Sequence, residues 1–281
     1  MSFGPNPWLQ AHWDWRAAGN FMAGGAGGGL IVATALSDAQ GMARAALLLA
    51  GLVLVGIGLF CVWLEIGRPW RAMHVFLQPR RSWMSREAIV AALLVPVTAG
   101  AALLWPDLAA FAAALALAFV YCQSRMLAAA RGIPAWRAPL LAPLILATGL
   151  AEGAGLWVAT AAWHGAGSAM SVALAALVLL RFGLWRAYRR GLEPTLAAPA
   201  RVALDAAGRR LATVGTLLPL LALAGLAVAG SASGLAAVLS VVAGIGAALA
   251  GSGFKFALIT RAAFNQGFAL TRLPVRGVRR S

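Results

Sequence analysis

Charge is scarce in this chain, and it falls almost wholly on one residue type. Only 11% of the 281 residues are charged, eight are acidic, and lysine occurs once, at Lys255. A soluble domain carries about a quarter charged residues, so a water-facing globule is excluded. Cysteine is nearly absent too. Cys61 and Cys122 lie in apolar runs and form no C-x-x-C pair, so neither a disulfide framework nor a cluster site is readable. Histidine occurs three times, at His12, His74 and His164. A b-type haem in a helix bundle needs axial ligands facing each other. These three fall in an N-terminal segment, a connector and the opposite face, so no haem is expected, and no zinc or nucleotide motif appears. The opening MSFGPNPWLQAHWDWR has no basic start before a short apolar core and does not read as a signal peptide.

What the chain has instead is length in apolar runs. It is 62% hydrophobic, with a mean hydropathy of +0.83. About 20 apolar residues cross the hydrocarbon as a helix. Eight runs qualify, roughly 17–37, 45–66, 87–105, 107–126, 138–162, 167–187, 211–230 and 233–257. The expected fold is an all-α integral membrane protein with eight transmembrane helices. The breaker stretches WPD (105–107), HGAGS (164–168) and GSASG (230–234) pair the third run with the fourth, the fifth with the sixth and the seventh with the eighth. The connector RAYRRGLEPTLAAPARVALDAAGRR (186–210) reads as a short surface helix plus loop.

The basic residues orient the chain. With eight spans, 22 of the 23 fall on the side that also holds both termini, and only Arg44 falls on the other. By the positive-inside rule the crowded side is the cytoplasm. The pI of about 11.8 therefore reflects topology and not nucleic-acid binding. Trp8, Trp13 and Trp15 mark residues 1–16 either as an interfacial anchor or as a contact surface for a partner. Residues 258–281 form a basic tail.

Charge within a bilayer is costly and points to function. Glu65 closes the second run and Glu87 opens the third. Helix-terminal electrostatics, with Ser85 as a cap, would account for Glu87 without any site. Antiparallel packing brings Asn20, Glu65, Glu87, Tyr121, Gln123 and Arg125 to one depth. Donors and carboxylates among apolar walls suit an amphipathic ligand with carbonyl or hydroxyl groups, such as a quinone. Glu152 lies about 14 residues into the fifth run, roughly 21 Å along the axis. It reads either as a proton relay or as neutral, hydrogen-bonded packing. Lys255 is expected to snorkel to the interface.

The stretch LEIGRPWRAMHVFLQPRRSWMSRE (64–87) resembles the signature of the DmsC/NrfD/PsrC-like membrane anchors of complex iron–sulfur molybdoenzymes. The match lies in EIGRPWR followed by SWMSRE, with weaker support from SRMLAAARGIPAWRAP (124–139) and GSGFKFALITRA (251–262). The resemblance implies two four-helix bundles, residues 17–126 with the quinone pocket and residues 127–257. It implies electron transfer between the membrane quinone pool (ubiquinone or menaquinone) and a four-cluster iron–sulfur subunit joined to a molybdopterin catalytic subunit, without haem. This chain would then be the quinone-reactive subunit of an oxidoreductase, with no catalysis alone. The implied site places Glu65 and Glu87 as proton-handling groups, with Asn20, Tyr121, Arg71 and Arg125 around the quinone. Arg68, Arg80, Arg81, Trp83 and Arg86 would face the iron–sulfur partner. Glu65 departs from the histidine of dimethyl sulfoxide reductase-type anchors. Within the family the likeness leans to phenylacetyl-CoA:acceptor oxidoreductase anchors, then to sulfite-oxidising ones. The alternative class is a small-molecule transporter, in which Glu152 belongs to a midplane site.

Overall fold

The computed structural model describes residues 6–66, 69–165, 167–192, 196–229 and 234–267, with the side chains of 69–71 left aside. The described residues are almost entirely helical, and one isolated antiparallel bridge joins Leu9 to Phe264. The chain runs through α1 (Trp15–Gly19), a π turn (Asn20–Gly24), α2 (Gly25–Ala35), α3 (Gly41–Glu65), a 3-10 segment (Pro69–Leu77) and α4 (Trp83–Leu103). A 3-10 turn (Pro106–Leu108) leads into α5 (Ala109–Ala129), followed by α6 (Pro134–Arg137), α7 (Leu141–Ala159), α8 (Ala161–His164) and α9 (Ser168–Leu192). Then come α10 (Ala198–Ala212), a second π turn (Thr213–Leu217), α11 (Leu218–Ala229) and α12 (Gly234–Thr260).

Seven of these runs are long and apolar enough to cross a membrane, and the protein is a multi-pass all-α membrane protein. They are α3, α4, α5 with its leading turn, α7, α9, the continuous run from α10 to α11, and α12. The remaining expected span, 17–37, is helical as α1, the π turn and α2. The break at WPD falls where expected. Alpha4 ends at Leu103 and Pro106 opens the next turn, because proline is tolerated where no amide hydrogen bond is required. The 186–210 connector differs from expectation. Alpha9 continues to Leu192 and α10 spans Ala198–Ala212, so most of the described connector is helical. Buried Leu204, Ala207 and Leu211 give α10 an apolar face, and Arg189 pairs with Asp205 at 2.7 Å.

Alpha2 sits at the centre, against α3, α5 and α7, and α7 in turn packs on α9 and α12. Every residue from Gly25 to Thr34 is buried. The α2–α7 crossing depends on Gly29, Gly149 and Gly153. A Cβ on Gly29 would fall inside the Gly149 carbonyl, and one on Gly153 inside the Gly29 backbone. Gly155 and Gly244 do the same where α7 crosses α12. Small residues permit such approach, and in lipid close packing stands in for the hydrophobic driving force. The outer faces of α3, α4 and α9 expose Val53, Phe60, Leu93, Leu179 and Leu180, a surface suited to acyl chains.

Replacing Gly29 with valine is expected to cost about 1–3 kcal/mol or more of stability, read as a lower unfolding midpoint in detergent. Gly253→Ala, whose added methyl would meet nothing within 4 Å, is expected to leave the midpoint unchanged.

Candidate functional site

A small cavity of about 70 Å³ lies where α1, the first π turn, the end of α3, the start of α4 and the end of α5 meet. Its walls include Asn20, Glu65 and Glu87, together with Trp13, Met84 and Met126. Ser82 caps α4 by accepting from the Ser85 amide at 3.3 Å. The cap is thus Ser82 and not Ser85, and Glu87 is carried into the second turn, where it is buried. Asn20 Nδ2 donates to Glu87 Oε1 at 3.0 Å, and Gln123 Nε2 donates to the Asn20 carbonyl at 3.0 Å. Glu65 is half-buried at the end of α3.

Three of the sequence-predicted residues therefore meet, and others do not. Tyr121 is 45% exposed and meets the edge of Trp83, with ring centroids 5.8 Å apart. The guanidinium carbon of Arg125 lies 5.2 Å from the centre of the Trp83 ring, and that of Arg86 lies 4.1 Å from it. Tyr121, Arg125 and Arg86 thus gather on Trp83, outside the cavity. Arg86 donates to the carbonyls of Pro79 (2.7 Å) and Arg80 (3.2 Å), which fastens the connector to α4. Arg80 and Arg81 line a separate open depression with Leu77, Gln78 and Pro79. Arg68 and the Arg71 side chain lie outside the described residues.

Sequence reasoning missed Trp13 as a wall of this cavity. Its ring packs on Trp136 (5.1 Å) and Phe21 (5.9 Å). The segment before it is pinned beneath the end of α12. Gln10 donates its amide to the Ala263 carbonyl at 3.1 Å, and Asn265 donates to the Trp8 carbonyl at 3.1 Å. Asp14 caps α1 and pairs with Arg16, which holds the Asp14 carboxyl below the usual carboxylate range. Arg16 also donates to the Leu64 carbonyl at 3.0 Å, joining this segment to the end of α3 beside Glu65.

A second polar cluster lies deeper. Lys255 Nζ is 2.5 Å from Glu152 Oε2 and donates to the Phe21 carbonyl at 2.6 Å. Ser252 donates to Glu152 Oε1 at 3.3 Å. Arg181 donates to the carbonyls of Ala247 (2.9 Å) and Gly215. Glu152, Lys255 and Arg181 are all fully buried, at 0% exposure. This corrects two expectations. Lys255 does not snorkel, because a carboxylate and a backbone carbonyl satisfy it inside. Arg181 is not a connector residue but lies within α9, so two of the cations assigned to the crowded face are enclosed by helices. Glu152, read either as a proton relay or as hydrogen-bonded packing, meets Lys255 and Ser252 here.

Both described π turns sit at these cations. Phe21 belongs to the first and Gly215 to the second, and each offers its carbonyl to a buried positive group. A π turn slips the hydrogen-bond register and is frequent at functional sites. Gly251 makes room, since a Cβ there would lie 2.6 Å from Glu152 Oε1 and 3.0 Å from Arg181 Nη1.

The cavity's chemistry suits a head with carbonyl or hydroxyl groups. An amide and two carboxylic groups converge, and Asn20 Oδ1 is buried with no partner among the described residues. Its volume is well below the roughly 300–1,000 Å³ of small-molecule pockets. Met84 and Met126 are the walls with the rotational freedom to enlarge it. No known protein-family model matches the chain, and no curated protein shows significant similarity to it.

Glu152→Gln would leave two buried cations, Lys255 and Arg181, without their carboxylate. It is expected to cost about 3–5 kcal/mol, measured by unfolding in mixed micelles. Lys255→Met leaves Glu152 facing Arg181 and is expected to cost less than Glu152→Gln.

Proposed function

We propose that this chain is the quinone-reactive anchor of a multi-subunit oxidoreductase. In this reading eight helices form two four-helix bundles in a bacterial inner membrane, with both termini cytoplasmic. The observation that carries it is the convergence of Asn20, Glu65 and Glu87 on one cavity, beside the Arg-rich connector of the signature stretch. A quinone supplies the two-electron acceptor, which the side chains of this protein cannot provide. Asn20 orients the head and holds Glu87 in place through the 3.0 Å hydrogen bond. Glu87 and Glu65 hold and deliver protons at their carboxyl oxygens. Trp13, Phe21 and Val62 exclude water.

Tyr121 and Arg125 serve this site from its rim, through Trp83. Trp83, Arg80, Arg81 and Arg86, with Arg68 and Arg71 of the same connector, face an acidic surface on the iron–sulfur partner. Electrons arrive through that partner from a molybdopterin subunit of phenylacetyl-CoA or sulfite type. Glu152, held by Lys255, relays protons away from the cavity. The distribution of arginine supports the orientation even with Arg181 and Lys255 set aside.

Purification in mild detergent should yield a complex with iron–sulfur absorbance, its subunits identified by mass spectrometry. Glu87→Gln is expected to lower quinone reduction by the assembled complex about 10²-fold, with assembly intact. A lone polypeptide showing substrate flux in liposomes would replace this reading with the transporter one.

A further inference from the structure

A second and larger cavity, of about 520 Å³, opens on the face opposite the Asn20–Glu87 cavity. Alpha7 floors it, and α2 and α9, which both pack on α7, form its sides. The space exists because the facing side chains are small. Gly29 and Ala33 line it from α2, Ala154 from α7, and Ala169, Ala173 and Ala176 from α9. Its inner end is closed by Leu150 and Leu177, at the level where Gly29 meets Gly149 and Gly153. From Leu150 to Trp157 the groove is about 11 Å deep, against about 15 Å for one leaflet of the hydrocarbon core. A membrane-spanning helix needs the full thickness, so this blind groove does not seat one. An acyl chain entering from one leaflet needs only that half.

The mouth has a definite chemistry. Asp38 stands there, exposed and without a partner among the described residues, and it is the one charged group among the described lining residues. The polar side chains beside it are engaged. Ser37 donates to the Thr34 carbonyl at 2.9 Å, and Trp157 Nε1 donates to Ser37 Oγ at 3.1 Å. A carbonyl head therefore finds a carboxylate and no free side-chain donor, whereas an ammonium finds its counter-charge. Arg44, the basic residue of this face, is fastened to the Pro106 carbonyl at 2.6 Å and does not line the groove. A headgroup of net negative charge thus meets no cation here. Across the mouth from Asp38, α9 begins at Ser168. Its first-turn amides have no intrahelical acceptor and favour negative charge. The rim is acidic on one side and electropositive on the other, which complements a zwitterion.

We propose that this groove binds one ethanolamine phospholipid from the leaflet opposite the Asn20–Glu87 cavity. One acyl chain fills the groove between α2 and α9, the ammonium pairs with Asp38, and the phosphate lies at the start of α9. Trp157 at the mouth and exposed Trp163 beyond it stand at the level of the headgroups, where tryptophan is favoured. The volume falls within the roughly 300–1,000 Å³ of small-molecule sites. The lipid completes the contact that α2 and α9 do not make with each other. It is independent of the ligand of the Asn20–Glu87 cavity, which lies about 24 Å away along the axis from Asn20 to Leu36.

The test uses the full chain in mild detergent, washed free of loosely held lipid. Palmitoyl-oleoyl phosphatidylethanolamine and phosphatidylglycerol are added together, and bound species are read by native mass spectrometry. One phosphatidylethanolamine per chain is expected, retained about threefold over phosphatidylglycerol. Ala173→Phe fills the groove and is expected to abolish the retained lipid. Val172→Phe, on the exposed outer side of the same helix, is expected to keep it. Asp38→Asn, at the surface, is expected to erase the preference between the two headgroups without moving the unfolding midpoint. Should Ala173→Phe not fold, Ala176→Leu on the same wall takes its place. Undiminished retention in the filled variant overturns the proposal, as does a native chain that prefers phosphatidylglycerol or neither lipid. A quinone, or a second copy of this chain, as the species that Ala173→Phe releases would overturn it as well.

Discussion

The interior of this protein is organised around one requirement, that a lysine ammonium be held away from both water and lipid. In hydrocarbon an unpaired cation costs several kilocalories per mole even after relaxation. Lys255 meets the requirement with Glu152 from α7 and the Phe21 carbonyl from the first π turn. Three separate helical segments are thereby fixed in relative rotation, since each must present one particular atom to the same nitrogen. Arg181 repeats the arrangement from α9, drawing on the second π turn and on α12. Ion pairs inside proteins are weak evidence for stability but can fix a single arrangement. Here they define which faces of α7, α9 and α12 can meet.

That arrangement is possible only because the backbones approach closely. The glycines at 29, 149 and 153 let α2 lie against α7, and Gly251 clears the space that Glu152 and Arg181 share. Any side chain at these points would push the helices apart and expose charged atoms to lipid. Close packing and buried charge are thus one design. The same closeness keeps the cavity small, because α1, α3, α4 and α5 converge on it with bulky walls from Trp13, Met84 and Met126. Side-chain rearrangement, more than helix movement, sets what that cavity admits.

The helices themselves were legible because hydropathy and a minimum length determine them, and proline marks their starts. The split at Trp105–Asp107 and the long run of α12 follow from such local rules. Depth was legible for Asn20, Glu65 and Glu87. Rotation about the helix axis was less so. Tyr121 and Gln123 share a depth on α5 but differ by two residues, about 200° of turn, so one faces outward and the other inward. The buried series Ala116, Phe119, Val120, Gln123, Leu127 has the helical period and was the signal that separates them. Lys255 and Arg181 were misplaced for a different reason. A cation near the end of an apolar run looks alike whether it reaches water or a partner, and the partner lies on another helix more than a hundred positions away for Lys255. Trp13 was read as an interfacial anchor or a partner contact because its neighbour Trp136 is distant in sequence.

The charge within the deep cluster bears on the cavity as well. Two cations face one carboxylate there, and both cations are closed off from solvent. In a medium of low effective dielectric an uncompensated positive charge acts over a longer range than at a surface. The cavity lies one π turn away: Phe21, whose carbonyl accepts from Lys255, is next to Asn20, which donates to Glu87. A group gaining electron density in the cavity would therefore lie at the receptive end of that field. An apolar residue at position 123 would remove the donor to the Asn20 carbonyl in that turn. The buried amide at that position thus holds the turn from which Asn20 reaches Glu87 and Phe21 reaches Lys255.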